Sequence, residues 1–325
     1  VIKKNFEEMR ALVSEEADKV DALLMANLTS EIQLINQLGA YIIQGGGKRI
    51  RPLIALLSAK SLGYSGQQHI DIAAILELVH TATLLHDDVV DSSKLRRGRQ
   101  TANDLWGTEA SVLVGDFLYS RAFQMMVTLN KNKILGVLAD ATNVIAEGEV
   151  MQLVNCHDPD ITELRYLDTI RNKTAKLFEA ASGLGAILSG GSDKTTTAMN
   201  AYGMHLGTAF QLADDALDYS SSPEKLGKNI GDDLSEGKPT LPLLYAMWHG
   251  TAGQADTIRE AIKTGGLDQL SVITTAIEST SAISYTKNLA EEEAKSALAS
   301  IKDVPPSPYK EALEDLAQFS FTRDF

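Results

Sequence analysis

Only one cysteine, Cys156, occurs in the 325 residues, so neither an intrachain disulfide nor a cysteine zinc cage can be built. Long apolar runs are missing as well: nothing approaches the ~18 residues that would suggest a membrane span. Positive charge is in deficit. A formal net charge of −13 argues against non-specific nucleic-acid binding, which needs a basic face, and against attachment to anionic lipid by charge alone. The first residues, Val1-Ile2-Lys3-Lys4, lack the apolar stretch of a signal peptide. The expectation is a cytoplasmic enzyme with no nucleic-acid partner and no stable membrane insertion. No series of alternating strands is evident, and no G-x-G-x-x-G follows one, which excludes a dinucleotide-binding domain.

What is present is helical periodicity, in a chain whose 44% hydrophobic content suffices for a substantial core. Ile70 to Asp91 contains no Gly or Pro, and Ile72, Leu76, Val79 and Thr83 recur at the spacing of a helix face. Ala110 to Leu129 predicts a second long helix. Ala290, Ala294, Ala297, Leu298 and Ile301 fall on one stripe of a third. The breaks lie at Gly45-Gly46-Gly47, Arg96 to Thr101, His157 to Asp160 and Gly190 to Thr195, with Asp160 or Thr162 available as an N-cap. The longest break, Ser220 to Pro239, has the length of a functional loop. None resembles a flexible linker. The expectation is one all-α domain over residues 1–325, a multi-helix bundle with a central cavity.

One feature is duplicated. Residues 87–91 read Asp-Asp-Val-Val-Asp and residues 214–218 read Asp-Asp-Ala-Leu-Asp, each ending an apolar-periodic segment. On a helix Asp87 and Asp91 share a face, as do Asp214 and Asp218. Like charges at that spacing are unfavourable unless a cation intervenes. A single cluster could be a solvated surface face; two copies in the same setting are hard to explain that way. Oxygen-only donors suit a hard cation such as magnesium, which takes one or two carboxylates together with waters and substrate phosphates. A diphosphate also needs protein cations, and these lie beside the acidic motifs. Lys48, Arg49 and Arg51 follow the glycine triplet, Arg96, Arg97 and Arg99 follow the first motif, and Lys228 and Lys238 follow the second.

The resemblance these motifs carry is specific. Leu84 to Asp91 followed by Arg96-Arg97-Gly98 resembles the first aspartate-rich motif of the trans-isoprenyl diphosphate synthases, and Phe210-Gln211-Leu212-Ala213-Asp214-Asp215 through Asp218 resembles the second. Gly46-Gly47-Lys48-Arg49-Ile50-Arg51-Pro52 is similar to that family's isopentenyl-binding segment, and Lys173-Thr174 and Gly227-Lys228 also match. The remaining chain resembles the bacterial octaprenyl synthases of quinone biosynthesis. The resemblance implies an isoprenoid synthase fold and a homodimer. It also implies three magnesium ions bound with the allylic diphosphate by Asp87, Asp91 and Asp214, supported by Asp88, Asp215 and Asp218. Arg96, Lys173, Lys228 and Lys238 would bind the allylic diphosphate, and Lys48, Arg51, His80 and Arg97 the isopentenyl diphosphate. Thr174 and Gln211 would lie near the developing allylic cation.

Such chemistry needs no nucleophilic Ser or Cys, so Cys156 is read as incidental. Glu77-x-x-His80 is also the signature of a di-iron bundle, but that site needs a second copy, which the six histidines do not supply. A neutral core histidine is the other reading of His80. Ala82 and Thr83 stand about one turn before the first motif, where the resemblance implies that bulky aromatics stop chain growth. Being small, they predict a long product. Leu78, Phe123, Met126 and Val127 are candidates for the tunnel floor, against ordinary core packing. A shorter-chain synthase, a terpene cyclase and a non-catalytic partner subunit are the competing readings. The intact motifs and the Lys48/Arg51 cluster weigh against the last two.

Overall fold

The computed structural model describes residues 4–220 and 231–322. Its contacts divide the chain into two compact units. The first comprises the chain up to Thr142 together with Leu177–Gly203 and Ser300–Leu316; the second comprises Asn143–Lys176, Met204–Ala299 and the chain from Ala317. Two long helices, Asn132–Asn155 and Asp193–Leu217, each contribute their first part to the first unit and their second part to the other. Among the described residues, no helix is long and apolar enough to cross a membrane.

The first unit is organised around the helix Gln68–Val90. Ile72 to Val79 are all buried, so this helix is apolar all round rather than along one stripe, as a helix enclosed by others must be. Its neighbours are Ser14–Asn27, Ile50–Ser61 and Thr108–Thr128. Each Leu or Ile fully removed from water there contributes about 1.5–3 kcal/mol. The glycine triplet separates Gln33–Gln44 from Ile50–Ser61, and Gly46 and Gly47 adopt φ of 79° and 131°. A Cβ at Gly47 would meet the Arg97 guanidinium, and its φ of 131° is one that side-chain-bearing residues rarely adopt.

The basic stretch after the first motif is a hairpin, the only β-structure among the described residues. Leu95–Arg96 pairs antiparallel with Arg99–Gln100. The two turn residues, Arg97 and Gly98, both have positive φ, 54° and 72°, as a two-residue turn of the mirror-image type requires.

In the second unit Leu212, Leu241, Leu244, Ile258, Ile262 and Ile273 belong to one buried apolar cluster. Thr162 caps the helix Glu163–Ile170, its Oγ1 accepting from the Arg165 N–H at 3.3 Å. That helix runs into one turn of π-helix, Arg171–Ala175, before Lys176–Leu188 continues in α-form. Such wide turns are rare and recur at functional sites; this one carries Lys173 and Thr174.

Candidate active site

The first aspartate motif sits at the C-terminal end of Gln68–Val90, with Asp91 as the C-cap. This is the negative end of the helix dipole, the wrong place for carboxylates unless a cation compensates them. Burial divides the motif. Asp87 and Asp91 are half-buried, whereas Asp88 is 1% exposed. Asp88 Oδ1 accepts from Arg96 Nε at 2.8 Å and Nη2 at 2.7 Å. Burial raises the Asp88 pKa, and Arg96 opposes the rise. The turn after the motif is anchored by Asn103, whose Nδ2 donates to the Asp88 and Ser93 carbonyls at 3.1 Å each.

Positive charge converges on His80 in the same unit. Burial, followed by the guanidiniums of Arg51, Arg97, Arg96 and Arg49, holds the His80 pKa well below its usual value, so the ring is neutral. Arg49 pairs with Glu77 and donates to the Ile43 carbonyl at 2.9 Å. Arg51 lies 4.7 Å over the Phe178 ring, and Arg97 donates to the Gly46 carbonyl. Lys48 is exposed beside them. The Glu77 carboxylate is thus committed to a guanidinium, which removes the di-iron reading of Glu77-x-x-His80. Arg49, one of the basic cluster after the glycine triplet, is the arm that ties the glycine-rich turn to the central helix.

A cavity of about 140 Å³ opens in the second unit, lined among others by Tyr166, Lys173, Thr174, Gln211, Asp215 and Lys238. Its polar side chains form a continuous series. Thr174 Oγ1 donates to Gln211 Oε1 at 3.0 Å, Gln211 Nε2 donates to Asp215 Oδ1 at 2.8 Å, and Tyr166 Oη donates to Asp215 Oδ2 at 2.5 Å. Asp215 is 3% exposed. Burial and then the charge of Asp233 raise its pKa to about 8, while its bonds to Tyr166 and Gln211 pull the other way. Lys173 Nζ lies 2.6 Å from Glu149 Oε2, and Lys238 Nζ 2.5 Å from Glu236 Oε2. Asp214 is half-buried and Asp218 fully buried. Lys228 lies outside the described residues.

The acidic residues fit magnesium by the chemistry of their donors. No group of three or more His, Cys, Asp or Glu among the described residues is assembled to hold a metal. Magnesium does not require one, since one or two carboxylates with substrate phosphates complete its shell. Asp87 and Asp91, and Asp214 in the last turn of Asp193–Leu217, offer oxygen alone at helix ends that disfavour uncompensated negative charge.

The family model for polyprenyl synthetases matches residues 32–279, about three quarters of the chain. The chain belongs to the polyprenyl synthetase family. It is 53% identical to the octaprenyl diphosphate synthase of Escherichia coli (strain K12) over 98% of its own length and 99% of that protein's. It is also 53% identical to the octaprenyl diphosphate synthase of Haemophilus influenzae, over 99% and 98%. A polyprenyl synthase from Caulobacter crescentus, solved with calcium and isoprenyl diphosphate, superposes with a TM-score of 0.95 at 42% identity, covering 98% of each chain. The fold is therefore the all-α isoprenoid synthase fold and the activity that of a prenyltransferase.

In this polyprenyl synthetase the chain-length candidates lie in the first unit. Ala82 and Leu78 are fully buried and Met126 is 1% exposed. Thr83 is half-buried, its Oγ1 donating to the His80 carbonyl at 2.8 Å, and Phe123 is half-buried. Val127 is 65% exposed, so it does not suit a tunnel floor; the preceding residue, Met126, turns inward instead. Two site residues escaped the sequence reading: Tyr166 and Glu149. A tyrosine on the buried side of a short helix needs a partner for its hydroxyl, and that was the available signal for the first. Glu149 stood in the sequence only as one acid among 43.

Proposed function

We propose that the chain is an octaprenyl diphosphate synthase that extends an allylic diphosphate, farnesyl diphosphate by preference, with successive isopentenyl units. The observation that carries the reading is the second unit's cavity, where lysines suited to a diphosphate adjoin an oriented Thr174–Gln211 pair and a buried acidic motif. Lys173 and Lys238, with Arg96, bind the allylic diphosphate; the carboxylates beside them keep these cations in place before substrate arrives. Lys48, Arg51, His80 and Arg97 hold the isopentenyl diphosphate, His80 as a neutral ring among guanidiniums. Asp87, Asp91 and Asp214 hold magnesium, with Asp88, Asp215 and Asp218 as support. Magnesium bound with the substrate neutralises charge on the departing diphosphate. The whole chain, residues 1–325, is taken as one catalytic domain.

The chemistry asked of the chain is electrostatic. The allylic carbon–oxygen bond breaks as cationic side chains stabilise the diphosphate. The Thr174 oxygen faces the allylic carbon as it gains positive charge. The isopentenyl double bond then attacks that carbon, and the proton lost from the isopentenyl unit passes to the departed diphosphate. Small Ala82 and half-buried Thr83 leave the path for a long product open, and the octaprenyl relatives support that length.

The partner proposed is a second copy of this chain. Leu113 and Val127, on Thr108–Thr128, are 66% and 65% exposed, and Val150, Leu153 and Val154, on Asn132–Asn155, are 61%, 61% and 64% exposed. Apolar side chains this exposed on long helices suit an interface between protomers.

Incubation with farnesyl and isopentenyl diphosphates plus magnesium, read by product mass, tests the reading. Octaprenyl diphosphate is the expected product. A shorter terminal product defeats the length assignment, and no condensation with any allylic starter defeats the reading as a whole.

A further inference from the structure

The hydrogen-bond series in the second unit's cavity joins three elements. Tyr166 stands on Glu163–Ile170, Thr174 on the π-turn two helical turns later, and Gln211 and Asp215 one turn apart on Asp193–Leu217. The directions of donation matter more than the contacts themselves. A glutamine amide can sit either way round, and its neighbours decide which. Were the Gln211 amide reversed, its N–H would point at Thr174 and the Thr174 hydroxyl would turn its proton elsewhere.

The orientation is set at the far end of the series. With Asp215 an acceptor at both oxygens, Tyr166 Oη occupies Oδ2 at 2.5 Å and Oδ1 faces Gln211 Nε2 at 2.8 Å. With Nε2 engaged there, Oε1 is the atom left to accept the Thr174 hydroxyl at 3.0 Å. The Thr174 proton is thus directed at Gln211, and the lone pairs of its oxygen are free to face the cavity. A buried series in which each member fixes the next is a low-freedom device. Tyr166 is fully formed for it: 4% exposed, with a single short hydrogen bond to Asp215.

We propose that Tyr166 is a positioning residue for prenyl transfer, acting through Asp215 and Gln211 to aim the Thr174 oxygen at the allylic carbon as it becomes cationic. The proposal rests on the prenyl-transfer reading above. It assigns Tyr166 no contact with substrate. Its effect is on the transition state, where a correctly aimed dipole is stabilising, and not on the affinity for either diphosphate.

The test is a double-mutant cycle with Tyr166→Phe and Thr174→Val, assayed with farnesyl and isopentenyl diphosphates and magnesium below the melting temperature of every variant. Tyr166→Phe removes one oxygen and keeps the ring. It is expected to lower kcat by roughly 10–100-fold, the scale for residues that orient a reacting group from behind. KM for both diphosphates stays within about twofold, since only a transition-state interaction is lost. Added to Thr174→Val, it costs nothing further, because the group it orients is already gone. Tyr166→Leu, which likewise removes the hydroxyl donor to Asp215, is measured alongside and must show the same pattern should the phenylalanine variant fail to fold. Multiplying losses in the double variant, or a raised KM with kcat unchanged, overturns the proposal. Wild-type enzyme that makes no prenyl product defeats instead the reading on which it rests.

Discussion

Arg96 donates both Nε and Nη2 to one oxygen of Asp88, at 2.8 and 2.7 Å, across eight residues of chain. The contact joins the basic hairpin to the end of the helix that carries Asp87 and Asp91. It also explains why the middle acid of the motif is buried while its neighbours are half-exposed. Asp88 orients the turn, leaving the other two carboxylates on the helix's outer face.

Arg96→Ala removes both donors from a buried carboxylate, and a loss of about 1–3 kcal/mol in stability is expected. Urea denaturation reads that loss directly. The KM for the allylic diphosphate should rise in the same variant, since the hairpin presents one of the proposed phosphate ligands. Unchanged stability would mean that Asp88 finds another partner.

Gly148 sets the position of the π-turn. A Cβ at this residue would stand 2.5 Å from the Lys173 nitrogen and 2.8 Å from the Asn172 carbonyl carbon. Both are backbone atoms, which cannot swing aside as a side-chain tip could. Gly148→Ala is therefore expected to cost about 1–3 kcal/mol by overpacking and to displace Lys173 and Thr174 together. Thermal melting and steady-state kinetics check the two parts. Full activity in a variant of lowered stability would separate the turn from the chemistry.

Much of this was legible in the sequence, for local reasons. The i, i+4 spacing of Asp87 with Asp91 and of Asp214 with Asp218 follows from helix geometry, and the apolar periods placed the helices that carry them. The glycine triplet and Arg97-Gly98 marked turns that only unusual φ values permit. What was not legible depends on burial and on distant partners. Periodicity did not say that Asp88 faces inward while Asp87 does not, or that Asp218 is buried and Asp214 only half so. Glu77 looked like half of a metal motif because its partner, Arg49, lies 28 residues away. Tyr166 meets Asp215 across 49 residues, beyond any local pattern. Val127 shared a helical segment with Met126, and one residue of phase separates an exposed side chain from a buried one.

Glu293 gives a pH-dependent prediction. Its Oε2 lies 2.5 Å from His205 Nδ1 and its Oε1 3.0 Å from Arg171 Nη2, at the start of the π-turn. Burial raises the Glu293 pKa, but the His205 and Arg171 contacts outweigh it and the net shift is downward. A carboxylate with a depressed folded-state pKa adds stability above its unfolded pKa, and that stability is lost as pH falls through the folded value. Glu293→Gln should therefore be less stable than wild type at pH 7, and the gap should close as pH falls below about 4.3, the unperturbed glutamate value. Denaturation curves at pH 7 and at acid pH compare the two. A gap that stays constant would assign the loss to packing instead of charge.

Ala82 bears on the product. It stands fully buried on Gln68–Val90, five residues before Asp87, so its side chain lies more than one turn, about 7.5 Å of axial rise, from the proposed metal ligand. In the proposed reading a growing chain leaves the metal-bound end through apolar space, and a small residue at that depth would leave room for it. Ala82→Tyr would fill that room with a ring. The expected result is a shorter terminal product from the same farnesyl and isopentenyl diphosphates, with early condensations still occurring because the aspartates are untouched. Mass spectrometry of the products, with melting temperature measured in parallel, reads the outcome. An octaprenyl product from a folded Ala82→Tyr variant would place the tunnel along another face and return Ala82 to ordinary core packing.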